Sequence, residues 1–255
     1  MQENRIKITW YGTASVRITA GSSQLLIDPF FPYPESKIKV QNNAYDNCRH
    51  ILISHGHFDH ISSIRKIVQP GTVVYCTAAP YRSLRRFGVR KENLHRITAG
   101  SVLKLGEFRV TALKGNHIQI SILKGLFNRH VLHNRKGLLR KLLTIAVCPE
   151  KKESLCYLVE VSGKRILILG SLALAADTDY PTEADLAFFP YQGSEKLYEI
   201  AVGIYQKLRP KAVLLTHFDD TFPPFSAKID TAEFETYLND RAAVYKLHQG
   251  SSLTL

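Results

Sequence analysis

Residues 55–60 read HGHFDH, which places three imidazoles and a carboxylate within six positions. Two imidazoles at i and i+2 can point the same way off an extended backbone, while a carboxylate and a third imidazole on the following turn can face a second ion. His55, His57, Asp59 and His60 are therefore candidate ligands for one or two divalent transition metals. A lone histidine in a polar turn would carry no such meaning; the spacing does. An ion held there would activate a water and polarise a carbonyl or phosphoryl oxygen. Asp59 is placed to orient that water and move its proton.

The flanking sequence must deliver these side chains to one place. Ile51, Leu52 and Ile53 form an apolar, β-prone run that reads as a buried strand, and Gly56 marks a turn. Ile61, Ile64 and Val68 then recur at helical spacing until Pro70 and Gly71. The motif is thus predicted on a strand-to-helix loop. Before it, three short strands over 5–10, 15–19 and 24–28 form an antiparallel meander, followed by an irregular Pro-, Tyr- and Asn-rich loop over 30–47. After it come strands at 72–76, 94–97, 101–105 and 108–113, with a helix over 80–87. A hairpin pairs 155–161 with 165–169, and strands at 186–190, 212–216 and 244–247 alternate with helices over 196–208 and 231–238. Such alternation predicts a layered α/β fold.

Composition narrows the class. The 255 residues are 45% hydrophobic, enough for a sizeable core. No apolar run is long enough to cross a bilayer and the first residues lack a signal-peptide pattern, so a cytoplasmic protein is expected. Cys48, Cys76, Cys148 and Cys156 form no CxxC pair and read as reduced, structural thiols. Lys and Arg outnumber Asp and Glu by 34 to 22, a net charge of +12 that raises the local concentration of anions without choosing among phosphorylated metabolites, nucleic acid and an acidic membrane surface; a small-molecule anionic substrate is the expected partner. Zinc-finger spacing, RNA-binding sheet signatures and aromatic-basic alternation are absent, which ranks nucleic acid below that partner. Self-association into a homo-oligomer stays open.

Four further stretches carry a resemblance: WYGTASVRI with LLIDPFF near the start, GNH around His117, ILILGS around Ser171 and LLTHFDD around His217. With HGHFDH they make the chain resemble, over nearly its whole length, the metallo-β-lactamase-fold hydrolases, and within them the branch containing the ascorbate-phosphate lactonase. That resemblance implies a four-layer αββα sandwich forming one domain over residues 1–255, with a basic amphipathic insertion at about 118–146. It implies a first metal on His55, His57 and His117, and a second on Asp59, His60 and His217. Zinc is the foremost ion, with manganese or iron as alternatives. His117 taken alone would read as a surface-loop residue, whereas His217 ends an apolar strand much as His55 does. Asp28 would hydrogen-bond behind the ligands, although an aspartate ahead of Pro29 equally suits a turn. Asp219 and Asp220 are candidates to accept the second N–H of an imidazole ligand, with turn capping the alternative.

One position departs from the pattern. The resembling family places a metal-bridging aspartate after the strand matching ILILG, and here the residue is Ser171. A neutral hydroxyl holds a dication far less well than a carboxylate, so the second position should bind more weakly than the first. Asp177 or Asp179 looping back, or a substrate phosphate, would supply the missing charge. Ser171 as a nucleophile is disfavoured, because Ala173 stands where a Gly-x-Ser-x-Gly elbow needs its second glycine. Residues 118–146 carry Lys124, Arg129, Arg135, Lys136, Arg140 and Lys141 with no acid. They read as helices packed on the domain or a lid, ahead of a peripheral membrane contact, with Arg129, Arg135 and Arg140 as candidate contacts to an anionic substrate. The expected function is metal-dependent hydrolysis of a lactone or phosphoester. The alternative is a catalytically degenerate member that binds an anionic ligand or a membrane surface.

Overall fold

A computed structural model of the chain describes residues 5–118, 138–149 and 151–255, with the backbone alone for 138–140. The meander predicted at the start is present. Strands β1 (Ile6–Gly12), β2 (Ser15–Ala20) and β3 (Ser23–Ile27) run antiparallel, with Ile8 opposite Ile18 and Ile18 opposite Leu25. Strands β4 (His50–Leu52), β5 (Val73–Cys76) and β6 (Leu94–Arg96) extend that sheet in parallel.

The second sheet joins β7 (Val102–Leu105), β8 (Phe108–Lys114), β9 (Leu155–Val161) and β10 (Lys164–Ile168), all antiparallel, to β11 (Leu186–Pro190), β12 (Ala212–Thr216) and β13 (Ala243–Tyr245), added in parallel. A short strand that the sequence reading does not foresee, β14 (Ser252–Thr254), pairs antiparallel with β1. Among the described residues each sheet thus has seven strands.

The apolar runs make sense once both faces of the first sheet are considered. Leu25, Ile27, Leu52 and Tyr75 belong to the core between the sheets, together with Val110, Tyr157, Val159 and Ile168 of the second sheet. Their chain neighbours Leu26, Ile51, Ile53, Val74 and Cys76 point the other way, into a second core with Phe58, Ile61, Ile64 and Leu84. A strand buried on both faces reads as a continuous hydrophobic run because neither side of its period-two alternation meets water. Helices α1 (Phe58–Ile61), α2 (Ile64–Ile67) and α3 (Ala78–Arg86) cover that outer face, and α4 (Leu138–Ala146) adds Ile145 to the same core. Helices α5 (Leu197–Leu208) and α6 (Ala232–Leu238) cover the second sheet through Ala201, Ile204, Leu208, Phe234 and Leu238. The result is the four-layer αββα sandwich.

Two local expectations need correction. The predicted helix after the motif is two single turns, interrupted at Ser62 and Ser63, and Ser63 Oγ accepts the Phe31 N–H at 2.9 Å. Asp59 and His60 consequently lie in α1 rather than on an open loop. Gly56 is not needed for a left-handed turn: a Cβ there would come within 2.5 Å of the Pro149 carbonyl oxygen, so close approach of another backbone excludes a side chain. Of the basic segment, 119–137 lie outside the described residues. Among the described residues no helix is long and apolar enough to cross a membrane.

Candidate metal centre

The site is built where strands end. After β4 the Ile53 N–H pairs with Tyr75, and the Ser54 N–H donates to Asp28 Oδ1 at 2.8 Å, which releases the chain from the sheet just before His55. After β8 the Gly115–Leu174 bridge precedes His117, and after β12 comes His217. Three distant stretches therefore deliver imidazoles to one end of the sandwich.

The histidines and Asp59 form two triplets, His55–His57–His117 and Asp59–His60–His217, and within each the donor atoms all lie within 4.8 Å of one another. In the first, His55 Nε2 is 3.2 Å from His57 Nδ1, and the His117 ring centre is 4.7 and 4.5 Å from those of His55 and His57. His117 Nδ1 donates to the Ile118 carbonyl at 2.6 Å, which puts its lone pair on Nε2. In the second, Asp59 Oδ2 is 3.0 Å from His217 Nε2 and 3.5 Å from His60 Nε2.

The other nitrogen of each second-triplet imidazole is also engaged. His60 Nδ1 lies 2.9 Å from Asp28 Oδ2, and His217 Nδ1 lies 2.5 Å from Gln192 Oε1. Each acceptor fixes a tautomer that turns Nε2 toward Asp59. Ser54 Oγ connects the triplets, 2.9 Å from His55 Nδ1 and 3.3 Å from His60 Nδ1. This donor set fits a transition dication: imidazole with carboxylate suits zinc, iron or manganese, and supporting acceptors hold the rings.

Electrostatics follow the geometry. Burial, helped by the neighbouring imidazoles, pushes His55 well below its usual range, and burial also lowers His57. Burial works against the Asp59 carboxylate, yet the His60 and His217 rings hold it below the ordinary carboxylate range. Burial likewise opposes a charge on His60, but Asp28 and Asp59 beside it raise its pKa.

Backbone strain marks the same region. Asp28 and His217 adopt positive φ of 42° and 60°, and Thr13 adopts 50°. Such conformations persist where surrounding bonds over-determine them. The Thr13 carbonyl accepts both the His217 N–H at 2.8 Å and the Trp10 indole N–H at 2.9 Å. Asp219 accepts the Thr13 N–H through both oxygens, at 2.9 and 3.0 Å, and a Cβ on Gly12 would stand 2.9 Å from its Oδ2. WYGTAS and THFDD are thus one clamp that carries His217.

Several sequence expectations land elsewhere. Neither Asp219 nor Asp220 is the acceptor behind His217: the first serves Thr13, and the second accepts from Ser226 Oγ at 2.5 Å. Gln192 takes that place, and sequence reasoning missed it. Its position becomes legible only from the parallel register that sets Pro190 beside Thr216, so that both strands end together. Asp177 does not loop back, since its exposed carboxylate pairs with Lys114, and Asp179 is exposed. Ser171 is buried and its Oγ accepts the Ile118 N–H at 3.2 Å, next to His117. Arg129 and Arg135 lie outside the described residues, and only the backbone of Arg140 is described. Lys141 is committed to packing, donating to the Pro223 carbonyl and pairing with Glu35, each at 3.0 Å.

Comparison with known proteins gives a consistent picture. The sequence model of a family described as the beta-lactamase superfamily domain matches residues 7–217. A UPF0173 metal-dependent hydrolase of Halobacterium salinarum is 31% identical over 112 residues, 44% of this chain and 44% of the relative. The chain therefore matches somewhat under half the length of that relative. Among solved structures, Igni18, a metallo hydrolase from the archaeon Ignicoccus hospitalis, superposes with a TM-score of 0.64 at 19% identity over 98% of each chain. Zinc-bound PqqB from Methylobacterium extorquens superposes with a TM-score of 0.61 at 12% identity, over 98% of this chain and 100% of that one. At such identities the structural likenesses speak for the fold.

Proposed function

The chain belongs to the beta-lactamase superfamily, and we propose that it is a metal-dependent hydrolase that acts with an activated water on an anionic lactone or phosphoester. The observation that carries this reading is the pair of facing triplets at one end of the sandwich. The name of the Halobacterium relative, a metal-dependent hydrolase, supports it. His55, His57 and His117 would hold one ion and Asp59, His60 and His217 a second. Zinc is the foremost candidate, and the zinc of PqqB supports it. When bound, such an ion lowers the pKa of a water from 15.7 in bulk toward about 7 and polarises the oxygen of the group under attack.

The chain's own residues do the rest. Asp59, with Oδ2 beside the His60 and His217 rings, would orient that water and take up its proton. Asp28, Gln192 and Ser54 keep the rings from rotating. Phe222 packs edge-on against His217, with ring centres 6.1 Å apart, and against Phe58 at 5.0 Å, which walls one side of the second triplet from water.

The test is hydrolysis of aryl phosphoesters and lactones by the purified chain before and after chelation. Turnover should disappear on chelation, return with zinc or manganese, and be absent from His57→Ala. Turnover undiminished in His57→Ala would refute the reading.

A further inference from the structure

Resting on that reading, we infer that the second metal position is completed by a dianionic phosphate group of the ligand, so that the second ion and a phosphomonoester bind as one cooperative unit.

Charge in a partly buried place governs the second position. Two dications bring four positive charges to the facing triplets. Among the six donors Asp59 alone carries a negative charge, and Asp28 stands one hydrogen bond behind His60. Of the other acids, Asp219 keeps its charge but accepts the Thr13 N–H rather than standing behind a ligand ring, and Asp177 pairs with Lys114 at the surface, so neither offers a carboxylate to the ions. Residues 118–146 contain no acid at all. Asp59, His60 and His55 are each at most 6% exposed, so on their side of the site solvent screens the two uncompensated charges poorly.

Among the described residues, the protein groups at the gap are neutral. Ser171 Oγ accepts the Ile118 N–H beside His117, and a Cβ on Gly170 would come within 2.8 Å of Ser54 Cβ, which places this turn against the residue that touches both triplets. A neutral water there supplies a donor atom but no charge, and a hydroxide supplies one. A carboxylate or phosphodiester, with one charge, leaves the deficit half met. A phosphomonoester carries close to two charges at neutral pH and three acceptor oxygens, enough to balance the site and to touch both ions. The net charge of +12 raises the local concentration of such a ligand.

The experiment is equilibrium dialysis of the chelator-stripped chain against micromolar zinc, read by elemental analysis. It is run with no added anion, with phenylphosphonate as a non-hydrolysable dianion, and with benzoate as a monoanion of similar bulk. About one tightly held equivalent is expected alone, with the second bound at least about tenfold more tightly once phenylphosphonate is present, and by reciprocity phenylphosphonate bound more tightly to the two-zinc form. Benzoate should do much less. In Ser171→Asp the second equivalent should bind without phenylphosphonate, and the enhancement should shrink. Equal second-ion affinity with and without phenylphosphonate overturns the inference, as does benzoate matching phenylphosphonate, and both are decided on the unmodified chain. Either result leaves the hydrolase reading standing, whereas zinc bound under no condition refutes that reading itself.

Discussion

The Asp28 carboxylate divides itself between two jobs: Oδ1 accepts the Ser54 N–H at 2.8 Å, and Oδ2 lies 2.9 Å from Nδ1 of His60. One buried side chain thereby sets both where β4 lets go of the sheet and which nitrogen His60 turns toward Asp59. Asp28→Asn keeps the shape but weakens the hold on the ring. Its expected effect is a loss of about 10- to 100-fold in affinity for the second ion, measured by chelator competition, with the first ion little changed.

Gln192 does the same for His217 with a neutral acceptor. Gln192→Leu should weaken the second ion by about tenfold or more, whereas Gln192→Glu should restore or exceed the original affinity, because a carboxylate raises the basicity of the ring it holds. Equal affinity in all three proteins would show that the 2.5 Å contact does not steer His217.

Removal of metal should be felt by the whole fold. Ligand sets drawn from stretches as distant as His55, His117 and His217 tie the two sheets together once an ion is bound, and binding to the folded state alone adds stability. Chelation should lower the melting temperature of the unmodified chain and leave that of His57→Ala closer to unchanged, by calorimetry.

Gly56→Ala tests the close backbone approach beside the motif. With the Pro149 carbonyl only 2.5 Å from the new Cβ, the backbone at Pro149 must shift, at an expected cost of about 1–3 kcal/mol in a denaturant titration. If Gly56 served only as a flexible turn, alanine would be nearly neutral.

The thiols offer a pH prediction. All four are free and buried, and burial pushes Cys76 and Cys148 up to about 12 and Cys156 up to about 11. A raised folded-state pKa keeps the proton on the thiol, so labelling by a thiol reagent at pH 8 should be slow in the native protein and complete after denaturation. The same sign means that this contribution to stability is whole below the unfolded thiol pKa, about 8.5, and declines as pH rises beyond it.

Features legible along the chain alone are local. HGHFDH announces metal chemistry because four donors within one strand-and-turn can hardly avoid one another, and the apolar runs at 51–53, 186–190 and 212–216 announce buried strands because period two leaves no room for polar residues when both faces are covered. The contacts behind the ligands arise from how the two sheets come together. Gln192 supports His217 because β11 and β12 end side by side, and Asp219 turns away because Thr13 arrives from the other sheet to claim it. Likewise Gly56 is small on account of Pro149, a residue far along the chain. Ligand types follow from chemistry at short range, but their supporting contacts depend on strand register and on which loops meet, and neither is written in spacing along the chain.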